Sequence, residues 1–273
     1  MRFSQVDVFS AEPLLGNPVA VVHDADGVSD EQMAAFARWT NLSETTFLLS
    51  PTEPAADYRL RIWTPGGELP FAGHPTLGSA HAWLEAGGTP AGEDLVQECG
   101  AGLVRIRRGE RLSFAAPPLM RSGPVDDADV EAIAVALRVP RSDLLDTAWI
   151  DNGPGWVGVL LADADAVLGL RPDWAAFGDL KIGVVGAYPA GGPADVEVRA
   201  FCPDYGITED PVTGSLNAGL GQWLAGDRLP AAYVASQGSV LQRSGRVHVE
   251  LVDGTIWVGG DTRTTVSGTV SLD

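Results

Sequence analysis

The chain has 273 residues, 18 basic against 36 acidic, giving a formal net charge of −18, and it has two cysteines. That balance offers no basic stripe for a nucleic-acid partner, and two cysteines without metal-ligand spacing make neither a disulfide scaffold nor a metal cluster. No apolar run is long enough to span a bilayer, and residues 1–9 lack the charged-then-apolar profile of a signal peptide. A soluble cytoplasmic protein with no membrane partner is therefore expected.

Alternation predicts strands over 6–9 and 19–22, joined by a turn at Leu15-Gly16-Asn17. Ser29, with Gln32 three residues on, has the signature of a capping box, and Met33, Phe36 and Ala37 make an apolar stripe. A helix is expected over 30–39. Asn41-Leu42-Ser43-Glu44-Thr45-Thr46 then reads as a turn entering a short strand at 47–49, and Glu44 lies in that turn. Another strand covers 58–63, and 64–72 is a loop. From Pro75, the residues Leu77, Ala80, His81 and Leu84 fall on a helix that ends near Gly87-Gly88. This helix has no charge before Glu85, so it should be buried.

Strands at 103–106 and 111–114 flank Gly109. Their arginines, Arg105, Arg107, Arg108 and Arg111, read as a solvated hairpin face. Ala116-Pro117-Pro118 closes the first half, since proline neither extends a helix nor pairs fully in a sheet. The second half opens in the acidic segment 126–131. It holds a strand at 157–161, an uncharged helix from Pro211 through Leu216, Leu220, Trp223 and Leu224, and strands at 240–242 and 246–251 around Gly245. Residues 256–258 and 264–272 also look like strands, and the tail is expected to return to the first half's sheet.

The two halves repeat each other. Gly73-His74-Pro75-Thr76-Leu77-Gly78-Ser79 is echoed by Glu209-Asp210-Pro211-Val212-Thr213-Gly214-Ser215, which sets His74 opposite Asp210. Upstream, Arg61-Ile62-Trp63-Thr64-Pro65 matches Arg199-Ala200-Phe201-Cys202-Pro203, and Asn17 before a strand matches Asn152. Several matches in the same order indicate duplication. One apolar helix in each strand-rich half implies a sheet rolled around each helix. The fold class is α+β, with two pseudo-symmetric halves, each a mixed, mostly antiparallel, barrel-like sheet around a central apolar helix. The expected halves are 1–118, joined by a tail from about 255 to 273, and 119–254, with the active site in the cleft between. No G-x-G-x-x-G follows a strand and no P-loop occurs, so nucleotide binding has no support.

Glu44 is the leading chemical candidate, as the lone carboxylate among Ser, Thr and apolar residues. A partly desolvated carboxyl there holds a proton near neutral pH. The alternative is a Glu that ties its loop together through neighbouring amides. His74 and Asp210 each stand before a proline near a helix start, where they either relay a proton or cap the helix. Gly73, Thr213, Gly214 and Ser215 offer backbone or hydroxyl donors where helix starts attract anions. His23 reads as surface turn chemistry, His81 as a satisfied core residue and His248 as solvent-facing. Cys99 and Cys202 have no visible activator.

Asn17-Pro18-Val19-Ala20-Val21-Val22, Asn41-Leu42-Ser43-Glu44-Thr45, Gly73-His74-Pro75-Thr76-Leu77-Gly78 and Asp210-Pro211-Val212-Thr213-Gly214-Ser215 together resemble the signatures of the PhzF-like family of phenazine biosynthesis. The likeness runs in order over essentially the whole chain. It implies the fold of diaminopimelate epimerase and an isomerase, usually a homodimer, that needs neither metal nor organic cofactor. The family's best-known member isomerises trans-2,3-dihydro-3-hydroxyanthranilate. By this likeness Glu44 is the proton shuttle on a small carboxylate substrate, and His74, Asp210 and Ser215 assist. The amides around Gly73 and Gly214 bind the carboxylate, with Thr213, Asn17 and Ser43 as further contacts. The rival two-thiol epimerisation finds Ala72 and Pro211 at its cysteine positions. Asn217 stands where relatives often have His, which bears on specificity. A lyase or hydrolase on a similar acid, and a metabolite-binding protein, are the other readings.

Overall fold

The computed structural model describes residues 1–203 and 207–272. Ser29 begins the first helix, α1 (Asp30–Thr40): its Oγ accepts from the Gln32 N–H, while the Gln32 side chain accepts from the Ser29 N–H. This is the capping box expected from the sequence. Asn41, in the left-handed region at φ 53, ends the helix. Met33, Phe36 and Ala37 face inward onto Val22, Phe47 and Trp63.

The chain divides into two compact units, Met1–Ala115 with the segment from Gly259 onward, and Ala116–Val258. In the first unit the strands Arg2–Val8, Asn17–Val22, Glu44–Leu49, Tyr58–Thr64, Leu95–Cys99 and Gly102–Arg108 pair in succession. The pairings run antiparallel, parallel, antiparallel, parallel, antiparallel. The terminal strand Thr262–Thr269 lies antiparallel to Arg2–Val8. These strands surround the helix α2 (Gly73–Glu85), whose residues from Gly73 to Ala80 are all buried. Burying a side chain such as Leu77 contributes about 2 kcal/mol. The helix can sit this close because Gly78 has no side chain: a Cβ there would stand 2.4 Å from Val19 Cγ1.

The second unit repeats the pattern. Asp126 and Asp163 cap the peripheral helices α3 (Asp127–Leu137) and α4 (Ala164–Gly169). The strands Asp146–Asp151, Trp156–Leu160, Lys181–Ala187, Val196–Cys202, Ala232–Gln237 and Gly245–Val252 again pair antiparallel, parallel, antiparallel, parallel, antiparallel. They pack around α5 (Gly214–Leu224), and Gly183 admits Leu216 of that helix. Each unit is thus a mixed, mostly antiparallel sheet around one apolar helix, the expected α+β class.

The repeated Arg-x-aromatic motif has one job in both units. Arg61 forks onto Glu68 and lies over the Trp63 ring; Arg199 forks onto Glu209 and lies over Phe201. In each case the Glu is on the short strand that turns back beside the arginine's own, Gly67–Leu69 or Ile207–Asp210.

Several expectations need correction. Residues 64–72 contain the strand Gly67–Leu69. The strand expected at 240–242 is a 3-10 turn, Ser239–Leu241, because Gly238 at φ 93 bends the chain sharply after Ala232–Gln237. α3 fills the acidic segment read only as an opening; its Asp126 cap and first-turn Asp127 and Asp129 were the available signal. α5 begins at Gly214, three residues after Pro211, whereas α2 begins before Pro75. Among the described residues no helix is long and apolar enough to cross a membrane.

Candidate active site

The helix starts differ by environment. α1, α3 and α4 each have a side-chain cap, from Ser29, Asp126 and Asp163. The central helices α2 and α5 have none: their cap positions are Ala72 and Thr213, and neither side chain bonds the first turn. The first N–H groups of a helix have no partner within it, and a buried, uncapped start is a ready anion site. Gly73 and His74 are buried at one start, Gly214 and Ser215 at the other.

At the α2 start, Glu44 Oε2 lies 3.4 Å from His74 Nε2. Glu44 is the first residue of its strand, not a turn residue as expected, and the parallel pairing with Asn17–Val22 sets it opposite Val19. Asn17 opens that neighbouring strand and places its Nδ2 3.3 Å from His74 Nδ1. The ring proton is on Nε2 when Nδ1 accepts from Asn17, and on Nδ1 when the ring donates to the Pro18 carbonyl. Asn17 itself is held by the preceding turn, where the Gly16 N–H donates to Asp7 and a Cβ on Gly16 would strike the Val8 carbonyl at 2.2 Å.

Burial pulls the His74 pKa from 6.5 to about 3, against a hydrogen bond to the Pro18 carbonyl that favours the proton. The ring is therefore neutral near neutral pH, and its contact with Glu44 is not an ion pair. The depressed value has a stability consequence. Below pH 6.5 the unfolded histidine takes up a proton that the folded ring refuses, so this contribution is complete above pH 6.5 and fades towards pH 3. Between pH 7 and pH 4.5 urea denaturation should show the wild type losing roughly 2–3 kcal/mol more than His74→Asn. Equal losses would show that His74 is not buried as a neutral ring.

The second unit has contacts of a similar kind at its helix start, in a register different from the one the sequence suggested. Asn152, the counterpart of Asn17, donates from Nδ2 to the Ser215 carbonyl at 2.8 Å, and Trp156 Nε1 donates to Ser215 Oγ at 3.0 Å. Both helices place these residues second, so His74 corresponds to Ser215 and Ala72 to Thr213, not His74 to Asp210. In either register no thiol stands at a helix start. Lys181, the only lysine of the chain, opens the strand equivalent to the one Glu44 opens. The duplication has therefore kept a carboxylate at this strand start in one unit only.

Asp210 is buried before α5 and accepts from Thr213 Oγ1 at 2.5 Å. Gln237 and Asn217, both fully buried, complete the cluster: Gln237 Oε1 accepts from the Thr213 N–H at 2.9 Å and from Asn217 Nδ2 at 3.0 Å. Asn217 Nδ2 also donates to the Thr213 carbonyl. Gln237 and Trp156 escaped the sequence reading. Gln237 ends a strand far from the motifs in sequence, with only the following Gly238 as a hint, and Trp156 opens the strand read from Val157 onward.

Ser43 is half-buried in the turn before Glu44. His23, expected at the surface, is buried with Nε2 3.2 Å from Ser4 Oγ, because the turn after Val22 folds back over the strand Arg2–Val8. His81 meets Thr262 Oγ1 at 3.0 Å, and His248 is half-buried. Burial raises the Cys99 thiol pKa, which makes it a poor nucleophile.

A strand-wrapped helix, repeated within one chain, is a fold that solved structures share. The PhzF-family phenazine biosynthesis protein of Bacillus anthracis has this fold, with a TM-score of 0.83 over 99% of both chains at 24% identity. The family described as phenazine biosynthesis-like protein (PhzC-PhzF) matches residues 6–272. Antisense-enhancing sequence 1 of Schizosaccharomyces pombe is 38% identical over 97% of each chain. The trans-2,3-dihydro-3-hydroxyanthranilate isomerase of Pseudomonas aeruginosa is 36% identical, over 83% of this chain and 81% of its own. The chain belongs to the phenazine biosynthesis-like (PhzF) family, and it is an isomerase.

Proposed function

We propose that the protein moves a proton on a small unsaturated amino- or hydroxy-carboxylic acid of the trans-2,3-dihydro-3-hydroxyanthranilate type, using Glu44 as the single acid and base. The observation that carries this reading is the Glu44 carboxylate beside a neutral, buried His74 at an uncapped helix start. Glu44 takes the proton from an activated ring carbon and returns it to another carbon on the same face. His74 holds the carboxyl in place without competing for the proton. The free first-turn amides at Gly73 and at Gly214 bind the substrate carboxylate and stabilise charge that spreads from the carbon acid. Asp210 and Ser215 bind its polar substituents, Thr213 holds Asp210 through its hydroxyl, Ser43 borders Glu44, and Asn17 acts through His74. The reaction needs no metal or organic cofactor, and the enzyme works in the cytoplasm as a homodimer.

Turnover of trans-2,3-dihydro-3-hydroxyanthranilate and related acids in deuterated, 18O-labelled water tests this. A single-glutamate shuttle returns part of the substrate's own hydrogen to product and incorporates no 18O. Complete exchange with solvent would remove the one-base shuttle, and 18O in the product would mean a hydrolase. Gly214→Val should weaken carboxylate binding about tenfold by covering the α5 amides. Unchanged affinity would remove the second anion site.

A further inference from the structure

Gln237 uses every hydrogen-bonding position of its amide. Nε2 donates to the Asp210 carbonyl at 3.2 Å and to Thr213 Oγ1 at 2.9 Å; Oε1 accepts from the Thr213 N–H and from Asn217 Nδ2. Turning the amide over would set nitrogen against two donors and oxygen against a carbonyl, so its orientation is fixed. The consequence passes along the chain of bonds. Because Nε2 only donates, Thr213 Oγ1 accepts from it, and the Thr213 hydroxyl proton is committed to Asp210 Oδ2, 2.5 Å away. The chain of donors runs one way, from the amide through the hydroxyl to the carboxyl.

The surrounding backbone is built to keep this order. Gly238, at φ +93, brings the next turn so close that a Cβ would meet the Pro211 carbonyl at 2.6 Å. A Cβ on Gly245 would strike Val212 Cγ2 at 2.4 Å. The loop from Asp210 to Thr213 is thus pressed from two sides while Gln237 ties both of its ends. With the Thr213 N–H and hydroxyl both occupied, the first-turn amides of α5 are left for a ligand.

We propose that Gln237 is a positioning residue that sets the direction of the hydrogen bonds into Asp210, so that Oδ2 of this carboxyl is held as an acceptor and the carboxyl meets the substrate in one orientation. This rests on the reading of Asp210 as a substrate-facing group, but its physical core can be tested without substrate. A buried hydroxyl this close to a carboxylate should give a slowly exchanging, downfield proton resonance assignable to Thr213. Gln237→Glu keeps an oxygen for the Thr213 N–H and Asn217 but removes the Nε2 donor. The Thr213 hydroxyl then turns to the new carboxylate, and the bond to Asp210 is lost.

The resonance is expected in the wild type and in Thr213→Ser, and to vanish in Thr213→Val. In Gln237→Glu it should move and lose its coupling to Asp210. With a turned-over substrate, kcat should fall about tenfold in Gln237→Glu and in Thr213→Val, with KM within twofold, and Thr213→Ser should recover turnover relative to Thr213→Val. The double variant should be no worse than either single one, since both break the same chain. Additive losses, a Thr213 resonance unaffected by Gln237→Glu, or full kcat in a folded Thr213→Val would overturn the proposal. If Gln237→Glu fails to fold, the Thr213→Val and Thr213→Ser pair decides alone. If no candidate acid turns over while the resonances behave as expected, the substrate reading fails and the positioning role stands.

Discussion

Glu44→Gln should lower kcat by about three orders of magnitude, within the range typical for removal of a general acid–base. Glutamine keeps the length of the side chain and an atom for His74 Nε2 to contact, so the strand start and the α2 entry are preserved. What disappears is the oxygen that takes and returns the proton. KM should change little, because the proposed carboxylate site is made of amides and not of Glu44. Circular dichroism and denaturation curves should match the wild type. A folded variant that keeps more than a tenth of wild-type kcat would remove Glu44 from its role. His74→Asn gives a milder comparison, about tenfold, because it loosens the carboxyl without deleting it.

Arg199→Ala should be the most damaging substitution for stability, at roughly 3–5 kcal/mol. Arg199 and Glu209 side chains are 3% and 6% exposed, and two parallel bonds of 2.8 Å join them. The same guanidinium donates to the Val167 and Leu170 carbonyls at the end of α4. Removing it leaves an uncompensated buried carboxylate and takes one donor from each of the two carbonyls. The repeat supplies an internal control. Arg61 makes the same fork onto Glu68, but its partners Asp30 and Glu68 are 67% and 39% exposed, so Arg61→Ala should cost about 1 kcal/mol. Urea denaturation of the two variants gives the comparison. Joint replacement by Arg199→Met and Glu209→Leu should recover most of the loss, because no buried charge remains. Equal costs for Arg61→Ala and Arg199→Ala would show that burial does not set the value of this motif.

Local chemistry was legible without coordinates where neighbours in sequence decide it. Ser29 with Gln32 fixed the α1 start, since both partners of the capping box lie within four residues. The uncharged stretches from Leu77 to Leu84 and from Leu216 to Leu224 marked two buried helices, because a helix without a polar face has nowhere else to go. The repeated Arg-x-aromatic motif marked duplication, and the same ionic fork in both units gives it a structural reason. Asn17, His74 and Glu44 could be named from their motifs, but their hydrogen-bond order could not.

Tertiary structure decided whatever depends on residues distant in sequence. The echo of the two prolines paired His74 with Asp210, yet the helix starts and the Asn17 and Asn152 contacts pair His74 with Ser215. Proline is compatible both with the first turn of a helix and with the turn before it, so the motif alone does not set the register. Gln237 is 24 residues from Thr213 and lies in an ordinary alternating strand; only the parallel pairing of Ala232–Gln237 with Val196–Cys202 carries it to the α5 start. His23 was misread for the same reason, since burial of a turn residue depends on which strand folds over it. Sequence by itself determined the duplication, the two apolar helices and the lone glutamate, which are properties of composition and short-range pattern. Burial and bond direction came from packing, because these depend on what surrounds a polar group in space.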